Sequence, residues 1–216
     1  MTRTRAKPPD SPSRGVSRDR DDGSNSLVEL FIIVPIALLL ALGIQAFLIK
    51  PFRIPSESMV PTLAIGQRVL VDRVSYNFSE PHRGDVVVFK APRGAENNSC
   101  GVPDVRGRAC SQPTREQSEE NFIKRVVAGP GDRVKVLDGR VYINDRRQNE
   151  PFIEPDATCD ICDLPREITI PPDHFFMMGD NRGQSADSRE WGPVPKDWII
   201  GNAFFTYWPP GRVGIL

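Results

Sequence analysis

Histidine is nearly absent from this chain: His82 and His174 are the only two in 216 residues. Such scarcity leaves little room for a histidine-based metal centre or a histidine general base. Net charge is absent too, with 28 Lys and Arg against 28 Asp and Glu. A protein that lives on phosphate electrostatics is basic, so we expect no nucleic-acid partner. No apolar stripe of 3.6-residue period runs for more than about two turns beyond residue 52, which speaks against a helical bundle. What the chain has instead is 21 prolines and 17 glycines, together well above the ordinary share of about 12%. With 11 phenylalanines to fill a core, it reads as folded, turn-rich and built of many short elements.

Charge is unevenly spread. Leu30 to Ile49 is a run of twenty residues without a charge, LFIIVPIALLLALGIQAFLI. As a helix rising 1.5 Å per residue it spans roughly the 30 Å of a bilayer's hydrocarbon. A buried soluble helix is a poor alternative, because the run is apolar on all sides. A cleaved secretory signal has an apolar region of only ~7–15 residues. Ala41-Leu42-Gly43 resembles a cleavage site, yet six mainly apolar residues follow it before Lys50. We therefore expect a single uncleaved transmembrane helix within residues 27–50, with membrane lipid as its partner. Residues 1–26 mix six basic and four acidic residues with Pro, Ser and Gly, the pattern of a disordered tail. Their slight basic excess favours a cytoplasmic N-terminus and an extracytoplasmic domain over residues 51–216.

That domain reads as mainly β. Residues 67–74, 85–90, 122–127, 133–137, 140–144, 167–170, 174–178 and 203–207 are short runs rich in Val, Ile and aromatics between Gly and Pro clusters. Asp138-Gly139, between two alternating runs, predicts a two-residue hairpin. Residues 91–120 are polar, lack a strand pattern and contain two cysteines. They read as a surface excursion.

Two segments carry chemistry. Pro51, Pro55 and Pro61 bracket Ser56 and Ser58, and the prolines predict a stiff, extended path. Ser58 lies nine residues beyond Ile49, hence at most about 32 Å along an extended chain from the end of the apolar run. Structural turn serines would look the same. In the run from Asn121 to Asp132, a period of two puts Phe122, Lys124 and Val126 on one face. An ammonium among apolar neighbours loses water, and its pKa falls from about 10.4. A lysine snorkelling from a sheet edge is the plainer reading of Lys124.

The ordered set of Ile54-Pro55-Ser56 with Ser58-Met59 and Pro61-Thr62-Leu63, Arg83-Gly84-Asp85, Lys124-Arg125 with Gly129-Pro130-Gly131-Asp132, and Gly179-Asp180-Asn181-Arg182 with Ser185-Ala186-Asp187-Ser188-Arg189 resembles the bacterial type I signal peptidases. The resemblance covers about residues 50–209, with 91–120 unmatched. It implies an antiparallel β catalytic domain behind an N-terminal anchor, and a Ser/Lys dyad that cleaves signal peptides from exported preproteins without metal or organic cofactor. Ser58 would be the nucleophile and Lys124 its base. Ser56 would serve the oxyanion hole beside the Ser58 N–H, Ser185 would orient the lysine, and Asp187 and Arg189 would support it. Met59, Leu63, Phe122 and Ile123 fall where relatives line the pockets for small residues at −1 and −3, or are ordinary core. Gly183-Gln184 departs from some relatives.

All four cysteines, Cys100, Cys110, Cys159 and Cys162, follow the apolar run. Disulfides suit an oxidising space, and their pairing is open among three schemes. Zinc ligation fits the spacing poorly, and no βαβ pattern accompanies Cys159–Cys162 to suggest a thioredoxin-like site. Two other functional readings remain: a membrane-tethered binding domain, and a Ser/Lys self-cleaving repressor-type protease, which an anchor disfavours. A dyad needs Lys124 buried and within hydrogen-bond reach of Ser58, whereas a binding domain leaves it exposed and distant.

Overall fold

The computed structural model describes residues 22–103, 106–156 and 159–216, with the side chains of 22–27 and 45–47 left aside. Of the tail expected over residues 1–26, residues 1–21 lie outside the described residues. Helix α1 runs Asp22–Phe47, so it starts inside the segment expected to be disordered. Every large apolar side chain from Val28 to Ile44 is exposed on it. Among the described residues, no helix is long and apolar enough to cross a membrane. Helical residues up to Leu42 form one unit and residues 43–216 another.

The second unit is antiparallel β throughout its named pairings. Its strands are β1 Ile49–Arg53, β2 Arg68–Asp72, β3 Val86–Pro92, β4 Gln117–Ala128, β5 Arg133–Leu137, β6 Arg140–Ile143, β7 Arg146–Arg147, β8 Leu164–Thr169, β9 His174–Met178, β10 Val194–Pro195, β11 Ile199–Trp208 and β12 Gly214–Ile215. One short helix, α2, covers Ser188–Trp191. The larger sheet has the order β1-β2-β11-β3-β4-β9-β10, with β12 on β11, and the smaller has β7-β6-β5-β8. Ile49, the last residue of the uncharged run, opens β1. Pro51 is tolerated there because β1 is an edge strand. Asp138 and Gly139 both adopt positive φ, at 49° and 70°, the conformation a two-residue hairpin between β5 and β6 requires.

The side chains divide into three apolar clusters. Ile54, Met59, Leu63, Val69, Val71, Val86, Val88 and Ile123 fill one. Val87, Phe89, Val126, Phe175, Met177 and Trp191 fill a second. Neighbouring residues of β3 and β4 alternate between these two, so the middle of the large sheet is covered on both faces. The third joins the smaller sheet, through Val134, Val136, Val141, Ile143 and Ile168, to Val127, Ala128, Phe176 and Met178. Residues 91–120 are not merely a surface excursion: β4 begins at Gln117, and Ala95, Ala109 and Cys110 are buried.

Candidate active site

Strand β4 positions the lysine. One of its edges pairs with β3 along Val86–Pro92, but the other meets β9 only from Arg125 onward. Lys124 is therefore the last residue before the pairing with β9 begins. A cavity of about 500 Å³ opens here, lined by Pro55, Ser56, Ser58, Glu120, Asn121, Phe122, Ile123, Lys124, Gln184 and Ala186. The structure thus brings Ser56, Ser58, Phe122, Ile123 and Lys124 to one concavity.

The serine arrives on a turn rather than the extended path expected of three prolines. The Val60 N–H donates to Glu57 O, and the Leu63 N–H to Met59 O. Met59 and Leu63 are fully buried in the cluster with Ile54, and they do not line the cavity. They are core, and they pin the turn that carries Ser58. Ser58 is 6% exposed, and its Oγ lies 3.3 Å from the Oγ of the more exposed Ser56.

Lys124 is 4% exposed. Burial pulls its pKa down to about 8; the charges of Asp187, Asp180 and Glu190 oppose that fall, and Arg189 adds to it. Among the described residues no hydrogen bond joins Lys124 Nζ to Ser58 Oγ. Of the two geometric requirements of a dyad, the buried amine at the serine's cavity is met and the direct bond is not formed. Catalytic hydrogen bonds are commonly long in unliganded enzymes and tighten with substrate.

The segment from Gly179 to Trp191 forms the wall behind the lysine. A Cβ at Gly179 would overlap both Ser185 Oγ and the carbonyl oxygen of Ser58. Only glycine lets the serine's turn and Ser185 approach each other so closely, and the Asn181 N–H donates to Ser58 O at 3.1 Å. Ser185 is 4% exposed, and its Oγ has no hydrogen-bond partner among the described residues. A buried hydroxyl left so costs on the order of 1–3 kcal/mol. Asp187 caps α2 by accepting from the Arg189 N–H. It is clasped by that same residue's guanidinium, Nε to Oδ1 at 2.7 Å and Nη2 to Oδ2 at 2.8 Å, and accepts from the Gly179 N–H at 3.1 Å. Burial alone would raise its pKa, but the charge and hydrogen bonds of Arg189, with Lys124 and Gly179, hold it below the usual carboxylate range.

One group went unassigned in the sequence, although its residues lie in the motifs. Arg125 donates from Nε and Nη2 to Asp180, at 2.9 and 2.7 Å, and from Nη1 to Gly84 O, while Thr62 Oγ1 donates to Asp180 at 2.5 Å. This ties β4, the serine's segment and the loop after β9 together. The signal was the alternation of β4, which sends Arg125 opposite to Lys124. His82 is exposed, and His174 contacts the Pro172 carbonyl at 2.7 Å. Neither histidine lines the cavity. Among the described residues no cluster of His, Cys, Asp or Glu could hold a metal ion. The cysteines pair as Cys100–Cys110 and Cys159–Cys162.

A family model described as signal peptidase, peptidase S26, matches residues 27–208. The chain is 35% identical over 208 residues to a signal peptidase I of Leptolyngbya laminosa, covering 96% of this chain and 93% of that one. It is 39% identical over 185 residues to probable signal peptidase I-1 of Synechocystis sp., covering 85% and 84%. It is 40% identical over 179 residues to probable thylakoidal processing peptidase 2 of Arabidopsis thaliana, covering 82% of this chain and 43% of that protein.

Proposed function

This chain belongs to the signal peptidase family, peptidase S26, and is a signal peptidase enzyme, and on that premise we propose that it cleaves signal peptides from exported preproteins through a Ser58/Lys124 dyad and an acyl-enzyme. The observation that carries the reading is the buried Lys124, with its pKa lowered to about 8, lining the same cavity as Ser58. A serine hydroxyl is a weak nucleophile until a base takes its proton, and an amine that is substantially neutral near pH 8 can do so.

In the proposed reaction neutral Lys124 accepts the Ser58 Oγ proton as Oγ bonds to the scissile carbonyl carbon. The resulting oxyanion is met by the Ser58 N–H and the Ser56 hydroxyl, the latter 3.3 Å from the nucleophile and exposed towards the cleft. The Lys124 ammonium then protonates the departing amine and is neutral again. It next deprotonates a water that attacks the acyl carbon, and Ser58 leaves with its proton restored. Ser185, whose buried Oγ lacks a partner among the described residues, orients the amine, and Asp187 with Arg189 sets the field around it. Phe122 and Ile123 present apolar walls suited to small residues at −1 and −3 of the substrate.

We further propose that the uncharged run ending at Ile49 anchors the enzyme in the cell membrane in a single pass, with the β unit extracytoplasmic. Twenty uncharged residues and the exposed large apolar side chains of α1 from Val28 to Ile44 support this. The paired cysteines of the β unit suit an oxidising compartment.

Replacing Ser58 or Lys124 by Ala in the full chain, and assaying cleavage of a preprotein in detergent, tests the dyad. Each variant is expected to lose on the order of a thousandfold or more in kcat while remaining folded. Retained cleavage by either variant would overturn the mechanism.

A further inference from the structure

Part of the segment 91–120 reaches the wall behind the lysine. The Cys110 N–H donates to the main-chain oxygen of Arg189 at 2.9 Å, and Cys110 is fully buried and bridged to Cys100. Gly192, just beyond α2, permits this approach, since a Cβ there would overlap the backbone of Gln112 and Pro113. From another direction, Arg189 Nη1 lies 3.5 Å from the Sγ of Cys162, which is also fully buried and bridged to Cys159. The carbonyl of Arg182, which receives Arg189 Nη2 at 2.7 Å, lies 3.7 Å from Cys162 Sγ and 3.9 Å from Cys159 Sγ. The Cys162 carbonyl in turn accepts from the Gly139 N–H at 2.8 Å, which fixes this bridge to the β5–β6 hairpin. Two disulfide loops, distant in sequence, therefore close on one arginine, one at its main chain and one at its guanidinium.

We propose that the disulfides Cys100–Cys110 and Cys159–Cys162 are positioning elements for catalysis, holding Arg189 on Asp187, and that a dithiol reductant opening them lowers turnover. The inference rests on the Ser58/Lys124 reading. The charged groups acting on Lys124 are Asp187, Arg189 and Glu190 around α2 and Asp180 after β9. Arg189 is the member of this set that touches the bridges. With its fork loosened, the Asp187 charge is less compensated and holds the Lys124 proton more tightly, so less neutral base is present at a given pH.

The chemistry balances without a further reactant. A reagent thiolate attacks the Sγ of Cys100 or Cys159, each the partly exposed member of its pair, and expels Cys110 or Cys162 as a thiolate. The reagent's second thiol resolves the mixed disulfide. Two electrons and two protons are delivered to each bridge, and the dithiol leaves as its own disulfide.

The test compares oxidised full chain in detergent with the same protein treated with dithiothreitol, using an internally quenched synthetic signal peptide and following the melting temperature alongside. Reduction is expected to lower kcat on the order of ten- to a hundredfold, as for a small misplacement of a catalytic group. KM should change by less than about twofold, since ground-state binding is untouched, and the acidic limb of the pH–rate profile should move to higher pH. Oxidised Arg189→Lys keeps a cation but loses the fork, so it should already show the reduced kcat and lose nothing more on reduction. A wild-type kcat and limb unmoved by reduction, a wild-type kcat in oxidised Arg189→Lys, or equal losses in both proteins on reduction would overturn the proposal. Activity surviving in Ser58→Ala would instead sink the dyad reading itself.

Discussion

Two buried ion pairs in this molecule are made of the same groups and do different things. Arg189 holds Asp187 from Nε at 2.7 Å, and Arg182 holds Glu150 from Nη2 at 2.5 Å, with all four side chains nearly or wholly inaccessible. Each arginine is further satisfied by carbonyls: Arg182 and Ser185 for the first, Gly179 and Gly139 for the second. Arg182–Glu150 ties the smaller sheet to the loop after β9, because Glu150 also accepts from the Val141 N–H. Asp187–Arg189 lies in the field of Lys124. On the proposed mechanism it is nearness to Lys124 that gives one buried pair a bearing on catalysis and leaves the other structural.

The largest effects should separate the pairs. Asp187→Asn leaves Arg189 without its counter-charge, and the expected cost is about 3–5 kcal/mol of stability. In addition kcat should fall about a hundredfold or more, as for other misplaced catalytic groups. Glu150→Gln should cost a similar ~3 kcal/mol but hold kcat within about threefold, because it touches no group around Lys124. Denaturant titration and steady-state kinetics on both variants check this. Equal losses of kcat at matched stability would erase the distinction.

A smaller effect concerns the lysine itself. Its folded pKa of about 8 lies below the ordinary 10.5. Between those values the unfolded chain holds a proton that the folded one lacks, so wild-type stability rises with pH through that window, and below pH 8 the full cost of the buried ammonium is present. Lys124→Met should therefore be inactive yet more stable by about 3 kcal/mol at pH 6, at 1.36 kcal/mol per unit, and this advantage should fade as pH rises towards 10.5. Melting temperatures of the two proteins across that range decide it; a gain independent of pH would show that charge is not its cause.

The smallest effect is at Glu190, whose pKa is pushed up to about 7 by burial and then by the Asp187 charge. Its anion strengthens the hold of Lys124 on its proton. Glu190→Gln should shift the acidic limb of the rate profile slightly to lower pH with kcat at the plateau unchanged, as read from the pH dependence of kcat/KM. A shift in the opposite direction would place Glu190 outside the field of the lysine.

How far the sequence foretold this arrangement varied with range. Strands β5 and β9 begin and end where their apolar runs do, and Asp138-Gly139 turns as its chemistry requires. Lys124 stood out as a cation between Phe122 and Val126, but the pattern alone favoured a snorkelling side chain and only the motif resemblance marked it as a base. Contacts between distant segments left no such trace. Both faces of β4 are buried from Ile123 on, so a period of two could not tell which face carries a polar site. Met59 and Leu63 are apolar whether they line a pocket or a core. The prolines around Ser58 announced stiffness but not the turn, whose bonds run from Val60 to Glu57 and from Leu63 to Met59. Nor could spacing reveal that Cys110 and Cys162 converge on Arg189.

The central claim is that Lys124 acts as a neutral base on Ser58. The most direct measurement is the pH dependence of kcat/KM for cleavage of a synthetic signal peptide, taken with the melting temperature at each pH. The account predicts a rise governed by a single ionisation near 8, with the protein folded throughout. A rate that is flat from pH 6 to 9, or that rises only towards the ordinary lysine range near 10.4, would contradict it.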